Sequence, residues 1–411
     1  MKFSNLICQF FKKARGDAFS NSEAGGNANP QARKVIPELT GLRGVAALLI
    51  LIGHSVDVAP VLKTLTTAPL MNVLTFCGMS VFFILSGIVI CYNYQDAVTE
   101  EPGRGIPCFF LARFARLYPL YVAVVLCAFV LGLLTNAYQG AFLGPDTAGK
   151  VAMLPVYLAG TQSWFYAIVN GKQFYYWMGP GNVTWSISTE FALYFCFIPI
   201  AFMLRRFHCS GMRVMLISAA LFVMWYVFAY YCPWLADVMD RLFPGHPGKV
   251  ATYFTYFSPI PRLFEFLSGC GIALLYRDGL PKAFVRPCRI AASLGVSVAV
   301  ALIALMSLQI VDFKGCRGLF ASPCMVALCF AVFVYGSKIL RSRPLEFMGD
   351  VSYSTYLIHP FFGYLLSFFG NPPILTIPNL LVHFGLTYLT AWGVYKLYEV
   401  PMRRKIRAFF A

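Results

Sequence analysis

The chain is short of charge. Acidic and basic residues make up 12% of its 411 positions, about half the share found in an ordinary soluble domain. That scarcity, with the long apolar runs described below, excludes a large water-soluble helical enzyme. Familiar catalytic signatures are missing too. No Gly-x-Ser-x-Gly elbow, Walker A loop, His-Glu-x-x-His or Gly-x-Gly-x-x-Gly occurs, so hydrolase, ATPase and metallopeptidase readings lack support. Thirteen cysteines are present without a Cys-x-x-Cys or any other metal or disulfide spacing. Most lie in apolar runs, where cysteine behaves as a small hydrophobe; Cys316 and Cys324 are the two that would face an oxidising side. The first 35 residues have no apolar core of the kind a signal peptide carries and are expected to form a disordered tail. No internal repeat is evident, which counts against a transporter built from inverted halves.

What the chain has in abundance is apolar sequence. It is 59% hydrophobic, and runs of about 20 such residues, the length that spans a bilayer, recur throughout. These runs predict ten spans, near 40–59, 70–92, 117–135, 183–204, 213–232, 254–276, 290–310, 319–337, 349–368 and 378–398. With the N-terminus inside, 24 of the 33 Lys and Arg residues fall in inside segments and 7 in outside loops. This bias places both termini in the cytoplasm and accounts for the net charge of +16 without nucleic acid. The expected fold class is therefore an all-α polytopic membrane protein of about ten transmembrane helices. Residues 151–170 are apolar enough to be an eleventh, but that span would invert every later loop. They are expected to be interfacial or re-entrant instead. The predicted organisation is a cytoplasmic tail over 1–35, a membrane domain over 36–404 and a short cytoplasmic tail over 405–411. Asn182-Val-Thr184 is a glycosylation sequon.

Ionisable residues inside the spans are the candidate functional residues, because charge in a bilayer is costly. Arg43 and His54 lie eleven positions apart, about three helical turns and 16 Å, so both face one stripe of the first helix. Either Arg43 snorkels and His54 bonds across helices, or the pair grips an anion at one depth and moves a proton at another. Arg113 and Arg116 share a helical face; their guanidinium forks suit phosphates and equally suit anionic lipid. Glu190, one turn into a span with Tyr194 at i+4, either serves acid–base chemistry with His54 or pairs with Arg262. Arg262 and Glu265 at i,i+3 read as a neutralised structural pair. His359, before the helix-kinking Pro360, is a second proton-transfer candidate. The Ser86-Gly87 pair reads as close helix packing.

Taken together and in order, these segments resemble the acyltransferase family 3 of integral membrane enzymes that modify sugars and surface polysaccharides. The resemblance runs from Leu39 to about Arg404. It rests on Gly41-Leu-Arg43-Gly44 with His54, Phe82-Phe-Ile-Leu-Ser86-Gly87, Arg113-x-x-Arg116 with Tyr118-Pro119, Trp185-Ser-Ile-Ser-Thr-Glu190, Arg262-x-x-Glu265-Phe266 and Ser352-Tyr-x-x-Tyr356-Leu-x-His359. Two departures are Thr40, where many members carry Asp, and Phe191, where many carry Glu or Gln. The resemblance implies transfer of an acyl group, usually acetyl, from cytoplasmic acetyl-CoA to a hydroxyl of a sugar or surface polysaccharide, at a bacterial inner membrane. It implies His54, Glu190 and His359 in catalysis and Arg43, Arg113 and Arg116 on the acyl-CoA. No metal is implied; the expected partners are acyl-CoA, a glycan or lipid-linked sugar and membrane lipids. Succinyl transfer on the same architecture and secondary transport of small anions are the alternatives.

Overall fold

The computed structural model describes residues 36–55, 68–138, 145–166, 168–169, 172–173, 183–231, 238, 241, 253–279, 282–307, 317–369 and 377–410. The expected N-terminal tail, the sequon at Asn182 and Cys316 lie outside the described residues, whereas Cys324 is buried and unbridged. Among these residues the protein is helical apart from a two-residue antiparallel ladder, Ile168–Val169 with Lys172–Gln173.

The described helices are α1 (Pro37–Ser55), α2 (Ala68–Glu100), α3 (Pro102–Tyr138), α4 (Pro145–Ala159), α5 (Trp185–Arg206), α6 (Gly211–Tyr231), α7 (Pro259–Asp278), α8 (Lys282–Ser307), α9 (Arg317–Tyr335), α10 (Arg343–Asp350), α11 (Ser352–Phe369), α12 (Ile377–Val394) and α13 (Val400–Phe410). Each of the ten predicted spans overlaps at least one of them. Four are long and apolar enough, by length and composition, to cross a membrane: Val73–Glu100, Pro102–Asn136, Trp185–Arg206 and Val285–Leu305. Helix α1 is more polar because Glu38, Arg43 and His54 occupy three of its 19 positions. Helix α4, with 15 residues, reaches about 22 Å and is too short to span the ~30 Å hydrocarbon layer. The segment after it, 161–166, turns inward: Gln162 and Ser163 are fully buried. Residues 405–410, expected as a tail, continue α13.

Helix α2 is the axis of the core. It packs against α1, α7 and α9, burying Phe83, Ile84, Leu85 and Ile90. Its contact with α7 needs two glycines. A Cβ on Gly87 would lie 2.0 Å from the Phe266 carbonyl oxygen, and one on Gly269 would lie 2.1 Å from that of Ile84. Small residues that let backbones touch are the usual means of helix association where water supplies no hydrophobic drive. The termini of several helices gather at one end of the bundle, where Arg277 pairs with Asp96 at 3.0 Å, Arg205 with Glu100 at 3.6 Å, and Arg341 with Glu38. These pairs are wholly or partly exposed and contribute little energy; they mark which helix ends meet.

The α2–α7 contact gives a stability prediction. Gly87→Val should force the helices apart and lower stability by about 1–3 kcal/mol, the usual cost of overpacking. Thermal unfolding of the purified protein checks this, with the exposed Gly103→Val as the neutral comparison, since a Cβ there meets nothing within 4 Å.

Candidate active site

Five helices enclose a cavity of about 100 Å³. Helix α1 contributes Arg43; α2 contributes Phe82, Phe83 and Ser86; α3 contributes Arg113 and Arg116; α5 contributes Ser186, Glu190 and Tyr194; α11 contributes Tyr353 and Tyr356. Four of the six residues singled out from the sequence, Arg43, Arg113, Arg116 and Glu190, thus share one cavity although they come from three helices.

Local structure explains how each is held. Gly41 and Gly349 seat α1 against the short turn at Ile339–Arg341 and α10: a Cβ on Gly41 would lie 2.0 Å from the Leu340 carbonyl oxygen, and one on Gly349 would lie 2.0 Å from that of Thr40. This fixes the depth of Arg43, half-buried on the same helix. Arg113, 7% exposed, donates to the Tyr94 hydroxyl at 2.9 Å and lies 4.8 Å from the centre of that ring. Its Nε is buried without a hydrogen-bond partner. Tyr353 donates to the Leu117 carbonyl at 2.6 Å, and Tyr398 donates to that of Pro119 at 3.2 Å. These bonds tie α11 and the π-turn Tyr395–Glu399 to α3 beside the arginines.

Glu190 is positioned by the residues before it. Gln162 donates to the Thr184 carbonyl at 3.1 Å, the Ser163 hydroxyl to Ser188 at 2.9 Å, and the Trp164 indole to the Ser188 carbonyl at 2.8 Å. The polar residues between Trp185 and Glu190 therefore lock the start of α5 to the turn after α4. At the carboxylate itself, the Ser86 hydroxyl donates to Glu190. Gly87 packs against α7 as expected of a small pair, while its neighbour Ser86 belongs to the cavity.

The two histidines lie together and outside the cavity lining. His54 Nδ1 and His359 Nε2 are 2.9 Å apart, with ring centroids at 5.0 Å. His359 is 3% exposed, and its Nδ1 lies 3.3 Å from the Thr355 carbonyl oxygen. A carbonyl only accepts, so His359 Nδ1 carries the proton and, in the neutral ring, its Nε2 is an acceptor. His54 Nδ1 must then donate, which leaves the basic lone pair of His54 on Nε2. Tyr356 joins the two parts of the site. Its ring centroid is 5.9 Å from that of His359, it lines the cavity, and its hydroxyl donates to the Val183 carbonyl at 2.8 Å and meets Ser186 at 2.8 Å. Arg43 and His54 remain about 16 Å apart along α1. Glu190 contacts Ser86 and lines the cavity with the arginines.

Sequence reading passed over His383. It is buried on α12, its ring lies against Phe362 with centroids 6.1 Å apart, and its Nδ1 has no hydrogen-bond partner. The rule that flagged His54, an ionisable group within a span, applies to it equally. Arg262 and Glu265 form the expected pair, at 2.9 Å with each side chain 1% exposed. The Arg262 guanidinium also donates to the Tyr256 carbonyl at 2.9 Å and lies over the Tyr256, Phe83 and Trp185 rings. Among the described residues no group of three or more His, Cys, Asp or Glu could hold a metal ion.

Comparison with known proteins adds an independent line. The family described as "Acyltransferase domain" matches residues 36–396. The acyltransferase MdmB of Streptomyces mycarofaciens is 27% identical over 341 residues, 79% of this chain and 78% of its own length. The peptidoglycan O-acetyltransferase OatA of Listeria monocytogenes is 21% identical over 91% of this chain. The O-acetyltransferase OatA of Staphylococcus aureus is 24% identical over 90%. This chain spans 56% and 58% of those two longer proteins. No solved structure matches.

The buried Arg262–Glu265 pair gives the second prediction. Arg262→Met strands a buried carboxylate and should lower stability by about 3–5 kcal/mol. The double variant Arg262→Met/Glu265→Met should recover most of that loss, as thermal unfolding in detergent will read.

Proposed function

The chain belongs to acyltransferase family 3; on that premise we propose that this integral membrane acyltransferase moves an acyl group, most simply acetyl, from cytoplasmic acyl-CoA to a hydroxyl of a cell-surface glycan. The observation that carries the reading is the convergence of Arg43, Arg113 and Arg116 on one cavity, with an oriented imidazole pair one tyrosine away. The acetyl group draws support from the names of the two O-acetyltransferase relatives, and the glycan acceptor from that of the Listeria monocytogenes protein. The positive-inside charge bias supports a cytoplasmic position for the arginine end, and the bacterial relatives support residence in a bacterial inner membrane.

Fit to an acyl-CoA can be judged from the residues themselves. Three guanidinium groups face a single carboxylate at the cavity, and Arg113 keeps one buried N–H unpartnered. This set suits phosphate oxygens, which take paired, charge-assisted donors. The cavity volume of about 100 Å³ is well below the roughly 300–1,000 Å³ of drug-sized sites, so it takes the phosphates and the start of the slender pantetheine arm, with the adenosine left outside and the thioester directed toward the imidazole pair.

In the proposed reaction, His54 Nε2 takes the proton of the acceptor hydroxyl as its oxygen attacks the thioester carbonyl carbon. A C–O bond forms and the C–S bond breaks. The leaving thiolate receives the proton back from the imidazolium, giving an ester and free thiol. His359 holds His54 in the tautomer that leaves Nε2 basic, and acts as a positioning residue. Glu190 offsets part of the arginine charge between turnovers.

Incubation of purified protein with labelled acetyl-CoA and envelope glycan tests the assignment. Wild type should place alkali-labile label on the glycan. His54→Ala should lose about 10²–10⁴-fold in rate, the usual contribution of general-base catalysis, while inserting and accumulating normally. Arg113→Ala/Arg116→Ala should instead raise KM for acetyl-CoA. Near-normal transfer by His54→Ala contradicts the proton-transfer role.

A further inference from the structure

A second cavity lies away from the arginines, between α6, α7, α8 and α9, with a volume of about 600 Å³. That size falls within the range of small-molecule sites, about 300–1,000 Å³. Its floor is buried: Phe264, Glu265, Ser268, Ser322 and Phe330 come from α7 and α9. Its flanks are exposed, with Leu216, Ala219 and Val223 on α6 and Pro287 and Ala291 on α8. The lining on α6 runs from Met212 to Val223, about 16 Å of helix, so the cavity is a slot along the bundle that opens on its apolar surface.

Its polar groups are almost all satisfied. Ser218 donates to the Phe264 carbonyl at 2.6 Å and meets Ser268 at 2.7 Å; Ser322 donates to Glu265 Oε1 at 2.5 Å. The exception is Glu265 Oε2, which is buried in a side chain 1% exposed and has no hydrogen-bond partner. Arg262 engages the other oxygen. A buried carboxylate oxygen without a donor is costly, and a long apolar slot in a membrane protein is an alkyl-sized space.

We propose that this slot binds a single-chain membrane amphiphile, its alkyl chain along α6 and its hydroxyl headgroup donating a hydrogen bond to Glu265 Oε2. The chain supplies apolar contact and the hydroxyl satisfies the open acceptor, so a hydroxyl-bearing chain is selected over one of the same length without a donor. The site is independent of the acyl-transfer assignment. Its occupancy would be felt at the first cavity, because Arg262 bridges from Glu265 to the Phe83 ring, which lines that cavity.

Photolabelling of the full-length protein in phospholipid nanodiscs tests the proposal, using a diazirine-bearing hexadecanol and its methyl ether. Mass spectrometry should find the alcohol on peptides covering 212–223 and 322–330. The ether should label them about tenfold less, the equivalent of one hydrogen bond to a charged group. Ala219→Phe and Ala291→Phe fill the slot from its exposed flanks without touching the ion pair, and should abolish labelling there while leaving the membrane-facing 126–134 stretch of α3 unchanged. Equal labelling by alcohol and ether, or undiminished labelling in both Phe variants, overturns it.

Discussion

Like charge gathered within an apolar bundle is the constraint that shapes this protein. Arg43, Arg113 and Arg116 meet around one cavity in a bundle of apolar helices, with Glu190 as the opposing carboxylate lining it. Cations in such surroundings are expensive unless hydrogen-bonded or paired. The fold answers with close, donor-rich scaffolding. Tyr94 takes one guanidinium, Ser86 bonds the carboxylate, and tyrosines from α11 and the following π-turn pin the backbone of α3. Three guanidinium groups and one carboxylate line the cavity itself, an arrangement that suits an anionic ligand.

Chemistry is divided along one rigid element. Helix α1 carries a cation near one end and an imidazole about 16 Å further on; helix geometry sets the distance between them, and the glycine contact that seats α1 on α10 sets their depth. The imidazole is oriented from elsewhere in the chain. The Thr355 carbonyl sets the tautomer of His359, and His359 in turn sets that of His54, so two hydrogen bonds decide which nitrogen accepts a proton. The logic resembles the orienting partner of a catalytic triad histidine, with a neutral imidazole in place of the carboxylate.

Much of this was legible in the sequence because it rests on helical periodicity. The stripe holding Arg43 and His54, the shared face of Arg113 and Arg116, and the i,i+3 pairing of Arg262 with Glu265 follow from 3.6 residues per turn. Contacts between distant segments were not legible. His54 and His359 are 305 positions apart, and Ser86 and Glu190 are 104 apart, so the first pair read as two separate candidates and Ser86 read as packing alone. Glu190 illustrates the same limit: an acid–base role with His54 or a structural pair with Arg262 was the expectation, and its hydrogen bond with Ser86 could be seen only in the bundle. The serines and threonines before it read as part of a motif, and their role in anchoring α5 emerged only with the turn at 162–164.

The proposed function depends on the arginine cavity holding the phosphates of the acyl donor. Calorimetric titration of the purified protein with coenzyme A and with pantetheine, which lacks the phosphates, tests this most directly. Each charge-assisted hydrogen bond to phosphate is worth about 1.5–3 kcal/mol, so coenzyme A should bind at least about tenfold tighter than pantetheine. That margin should vanish in Arg113→Ala/Arg116→Ala. Equal affinity for the two ligands in the wild-type protein would contradict it.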